Sequence, residues 1–136
     1  MKYTASLLTG VTLLAFVSCK KQPQTFNDNH IPVNKCQAFN RDGKILTCCL
    51  DSVIQDSRCP VNALCIWEGI AVARFKVSSQ NTDHIITLAT YKFPPYNKDT
   101  TVAGFKIEFI NLLPKRELNK QFNYNDYVVE LNVMKL

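Results

Sequence analysis

Glycine is scarce in this chain of 136 residues, which has only Gly10, Gly43, Gly69 and Gly104. They lie too far apart for a phosphate-cradling loop such as GxGxxG. Histidine is scarcer still: His30 and His84 leave no HExxH and no closely spaced pair to hold a metal. A bilayer span takes about 20 apolar residues. The longest apolar run, Leu7 to Val17, has eleven and is broken by Thr9, Gly10 and Thr12. Blocks of like charge are absent, and the net charge of +5 is spread along the chain. A nucleic-acid partner is therefore not indicated. What is present is ordinary: 46% apolar residues place the chain outside the disordered and multi-span classes. At this length one domain is expected.

The amino terminus carries an address. Lys2 is the only charge before Lys20, and the short apolar run follows it. A basic start, a short apolar stretch and a small-residue end make residues 1–18 a secretory signal peptide. The run closes on Phe16-Val17-Ser18-Cys19, which resembles the lipobox of bacterial lipoproteins. The resemblance implies a diacylglyceryl thioether on Cys19, cleavage before it, and attachment to a membrane through the N-terminal lipid. Lys20, standing where an Asp would retain such a protein at the inner membrane, implies sorting to the outer membrane. The Lys20-Lys21-Gln22 start lacks the acidic residues that go with export to the cell surface, so the periplasmic face is expected and the cell surface is the alternative. Residues 19–35 are polar, carry Pro23 and Pro32, and show no helix or strand period. They are expected to form the lipidated start and a flexible tether.

Residues 36–136 read as one β domain. Phe105, Ile107 and Phe109 alternate with Lys106 and Glu108, the period of a half-buried strand. Tyr127, Val129, Leu131 and Val133 repeat the pattern, as do Ala71, Ala73, Phe75 and Val77 opposite Arg74 and Lys76. His84 to Thr90 is rich in β-branched residues. Lys44 to Leu50 makes a fifth strand, and Val53-Ile54 begins a sixth. No stretch carries a helical apolar stripe. The fold class expected is all-β: an antiparallel sandwich of immunoglobulin-like kind, with a small barrel as second choice.

With Cys19 assigned to lipid, Cys36, Cys48, Cys49, Cys59 and Cys65 remain. Export places them where disulfides persist, and an odd number leaves one thiol over. Cys59 and Cys65 flank a short loop and form the obvious local pair. Cys36 joins Cys48 or Cys49, which point to opposite faces of a strand. Zinc is disfavoured because the Cys59–Cys65 spacing is wide and no histidine supports it.

The densest stretch is Asp56-Ser57-Arg58-Cys59-Pro60, four residues, then Cys65-Ile66-Trp67-Glu68-Gly69. It resembles a DSRCP-x4-C-x-W-x-G motif of small exported bacterial proteins. That resemblance implies a β-rich secreted domain with a Cys59–Cys65 bridge, and no activity. Trp67, Asp56 and Gly69 are expected as structural anchors, with Trp67 packed in the core. Arg58 is expected to bridge Asp56, Glu68 or loop carbonyls. The competing reading is a recognition loop that displays Arg58, Asn62 and Leu64.

No catalytic set, cofactor site or metal site is recognisable. Tyr124-Asn125-Asp126-Tyr127, with Phe122, reads as a turn plus one inward Tyr, and less readily as a sugar-binding patch. The function expected is a non-catalytic binding or structural module of the cell envelope, holding a protein, peptide or glycan. The alternative is a small envelope hydrolase or thiol-redox enzyme, which requires a pocket of converging titratable groups.

Overall fold

The computed structural model describes residues 29–136. The expected signal peptide, Cys19 and the first part of the expected tether lie outside the described residues. Eight strands fold into two antiparallel four-stranded sheets, stacked as a sandwich and not closed into a barrel. In chain order they are β1 (His30–Pro32), β2 (Cys36–Arg41), β3 (Lys44–Asp56), β4 (Ala71–Ser79), β5 (Thr82–Ala89), β6 (Asp99–Val102), β7 (Phe105–Leu113) and β8 (Val128–Lys135). One sheet runs β2-β3-β4-β5 and the other β1-β8-β7-β6. Strands β2 to β5 and β6 to β8 are each neighbours in chain order, as in a meander, while β1 pairs with β8 across the chain. An immunoglobulin sandwich instead distributes consecutive strands between its sheets.

Alternation builds the core. Leu46, Cys48 and Leu50 of β3, and Ala73, Phe75 and Val77 of β4, point inward from one sheet. Phe105, Ile107 and Phe109 of β7, and Val129, Leu131 and Val133 of β8, meet them from the other. Phe75 and Phe109 touch edge to face across the interior, with ring centroids 5.7 Å apart.

Two expected boundaries move. The tether ends sooner than residue 35, because β1 lies inside it and buries Ile31 against the core, with Val33 just beyond. Pro32 is tolerated there because β1 is an edge strand, where a missing donor costs no ladder bond. Residues 44–50 and 53–54 are one strand of 13 residues, not two. Register shifts between Leu50 and Ser52 and between Val53 and Gln55 interrupt its alternation.

The strand register also settles the cysteines. Cys36 pairs directly with Cys49 across β2 and β3, and these two form a disulfide. Cys48 points the other way into the core and is the free thiol, so it is not a bridge partner, and Cys49 is not left over. The second disulfide joins Cys59 to Cys65.

Candidate functional site

Three connections meet at one end of the sandwich: residues 57–70, 90–98 and 114–127. The first is the motif stretch, and its foot is a polar clamp. Arg58 Nε donates to Asp56 Oδ1 and Arg58 Nη2 to Asp56 Oδ2, both at 2.8 Å, which is the bidentate fork that suits a guanidinium. The same guanidinium donates to the carbonyls of Leu112 and Pro114, tying the loop to the other sheet. Tyr127 Oη donates to Asp56 Oδ2 at 3.1 Å. Arg116 Nη1 donates to the carbonyls of Asp56 and Arg58, at 3.3 and 3.0 Å.

This clamp fixes its protonation states. Burial opposes ionisation of Asp56 most strongly, but the hydrogen bonds and charge of Arg58, with the Tyr127 hydroxyl, outweigh it. The carboxyl therefore stays below its ordinary pKa. Burial, the Asp56 charge and the bond to it push the Tyr127 phenol up to about 12. With side-chain exposures of 13% and 6%, Arg58 and Asp56 are internal supports. Arg58 is thus not a displayed recognition residue: all the faces of its guanidinium are spent.

Gly69 closes the other side of the loop. Its φ of +66° lies in the left-handed region, and a Cβ there would sit 1.8 Å from the Ser57 carbonyl oxygen. That close approach lets Ser57 and Ile70 exchange backbone and hydroxyl hydrogen bonds of 2.8 to 3.3 Å. Asp56 and Gly69 are anchors as expected.

Trp67 is not. It is 50% exposed, outside the core, and packs on Phe93 of the second connection at a centroid distance of 5.7 Å. Ile70, one residue past the Gly69 turn, takes the buried place with Val72 and Ala89.

Between clamp and turn, the Cys59–Cys65 bridge closes a protruding loop. Cys59 N–H donates to the Glu68 carbonyl at 2.7 Å, and Val61 N–H to the Arg116 carbonyl at 2.9 Å. Asn62 is exposed, and its Oδ1 accepts from Leu118 N–H at 2.7 Å, so it fastens the loop to the third connection. Leu64 and Ile66 are fully exposed, at 105% and 107%. Leu64 was legible as a displayed residue. Ile66 was missed, because an aliphatic beside a cysteine reads as core unless the loop is known to stand proud.

Beneath the loop is an open cleft of about 450 Å³, lined by Arg58, Val61, Glu68, Asn111, Lys115 and Arg116 among others. Of these, Asn111, Lys115 and Arg116 carried no signal in the sequence, since they come from β7 and the connection after it. Tyr124 and Tyr127 behave as a turn with one inward ring: Tyr124 lies in a short 3-10 turn and its hydroxyl accepts from Val53 N–H at 2.9 Å.

The chemistry an enzyme would need is dispersed. The free thiol of Cys48 is in the core, where burial pushes its pKa up to about 12. Glu68 is the one carboxylate lining the cleft. Among the described residues no three His, Cys, Asp or Glu side chains gather as metal ligands, and no helix is long and apolar enough to cross a membrane. Comparison of the chain with protein-family models, curated proteins and solved structures gives no match.

Proposed function

We propose that this chain is a lipid-anchored protein of the cell envelope. Its β-sandwich acts as a non-catalytic binding module, and the loop closed by Cys59 and Cys65 is the surface presented to a partner. The observation that carries this reading is the contrast within one loop. Its foot is locked by a disulfide, a bidentate ion pair and bonds to both sheets, while its tip holds two aliphatic side chains wholly in water. Exposed aliphatics on a rigid support lose little conformational freedom on binding, so more of their burial appears as affinity. The same end gathers Trp67, Phe93 and Leu118, which are 45 to 50% exposed.

A photo-crosslinking residue at position 64 or 66, compared with one at the exposed Ile45 near the other end of β3, tests this in intact envelopes. Discrete adducts from 64 and 66, lost on adding Trp67→Asp, are expected. Equal adducts at all three positions, or none at 64 and 66, would remove the loop from the binding surface.

A further inference from the structure

We propose that the cleft beneath the loop binds the carboxylate of an acidic residue flanked by apolar residues in a peptide segment of the partner. This rests on the binding-module reading and gives its partner a chemistry. The charges in the cleft do not cancel. Arg58 is neutralised by Asp56. Lys115, Arg116 and Glu68 take part in none of the ion pairs among the described residues. Two cations against one anion leave a single positive charge.

Arg116 is the prepared donor. It is half-buried, and its Nη1 is held by the carbonyls of Asp56 and Arg58. Its Nη2 and Nε have no hydrogen-bond partner among the described residues. These two nitrogens are not buried, so they face solvent and can donate to an arriving carboxylate as a fork. Asn111 is oriented as a second donor: its Oδ1 accepts from Leu112 N–H at 2.9 Å, leaving the amide NH₂ to donate. Lys115 is exposed at the rim and adds attraction at longer range.

The occupant follows from charge and shape. A phosphate dianion would bring two negative charges beside Glu68, whereas a carboxylate brings the one the cleft lacks. Glu68 then remains to accept a peptide N–H. Val61 lines the same cleft, and the wholly exposed Leu64 belongs to the same loop, so an apolar residue beside the acid has aliphatic surface within reach. An acidic sugar offers no such flanks. A volume of about 450 Å³ holds one side chain with its adjoining backbone.

The test uses the isotope-labelled full chain and the probe N-acetyl-Leu-Glu-Leu-amide, with the Leu-Gln-Leu analogue, glucuronate and inorganic phosphate as comparisons. The Glu peptide is expected to move the Arg116 Nε–H and Asn111 side-chain amide resonances saturably and to bind at least tenfold more tightly than the Gln peptide. Lys115→Gln is expected to weaken it several-fold and Glu68→Gln to strengthen it. Arg116→Gln should abolish it, with Lys115→Gln, at an exposed position, guarding against a folding defect. Equal binding of both peptides, no response to Lys115→Gln, or tighter binding of glucuronate or phosphate would overturn the proposal. Adducts at positions 64 and 66 without any peptide response would sink the cleft and leave the loop reading standing, and loss of both would sink both.

Discussion

At the residue scale, Asp56 decides more than its neighbours. It is the acceptor for Arg58 and Tyr127 at once, so removing its charge strands a guanidinium in a half-dry site. Asp56→Asn should cost about 3 kcal/mol, the range for breaking a buried pair from one side. The acid dependence has a definite sign. A carboxyl held below its unfolded value stabilises the fold above that value, about 3.9 for Asp, and the contribution is lost as pH falls through the folded pKa. Urea denaturation of the wild type should therefore show stability level near neutrality and falling below about pH 4. Asp56→Asn should start lower and fall less steeply. Some slope will persist, because hydrogen bonds from Arg74, Lys76, Lys106 and Lys98 hold Asp51, Asp83, Asp99 and Glu108 low as well. An acid slope as steep in Asp56→Asn as in the wild type would show that Asp56 is not the principal acid-sensitive group.

At the element scale, the long alternating strands were legible and the short or bulged ones were not. β7, β8 and β4 each set several apolar residues on one face, which is a signal physics enforces wherever one face is buried. β6 buries only Val102, and β2 only Phe39. One apolar residue has no period to read, so these strands exist because a neighbour templates them. The bulges in β3 and β7 shift the inward phase by a residue, which is why β3 read as two pieces and β7 stopped at Phe109. The Cys36–Cys49 bridge is therefore significant for β2, an edge strand with one core side chain. Closing a loop with a sequence separation of 13 is worth about 3 kcal/mol on the chain-entropy model. Cys36→Ser with Cys49→Ser should lower stability by about that amount. The same register argument predicts the thiol chemistry. The unreduced β domain should resist maleimide when folded and take up one label, at Cys48, in denaturant. Labelling at Cys49 would reverse the assignment of the inward and outward cysteines.

For the whole molecule, the site was half legible. The motif announced its own loop, its bridge and its Asp56 and Gly69 supports, all from one stretch of chain. The cleft was hidden because Arg116 and Tyr127 reach Asp56 from 60 and 71 residues away, and no local pattern encodes such a meeting. The proposed placement in the envelope depends on a different part of the chain. β1 runs from His30 toward Pro32, which pairs with Val128 at the loop end of β8, so its amino end points away from the loop. The proposed anchor therefore joins the domain at the end opposite the loop. Cys19 is the proposed attachment, and its contribution can be separated from that of the lysines beside it. Each buried methylene of an acyl chain adds about 0.8 kcal/mol to membrane binding, so two or three chains hold a protein stably. Beside the proposed anchor, Lys20 and Lys21 would together add about 2 kcal/mol against an anionic surface, which salt would remove. Cys19→Ala should therefore move the protein from the membrane pellet to the soluble envelope fraction at physiological salt. The wild type should stay in the pellet through a high-salt wash, and Leu64→Asp with Ile66→Asp should stay there too, since the loop serves the partner and not the anchor. A Cys19→Ala protein that remains in the pellet after the salt wash would refute lipid anchoring.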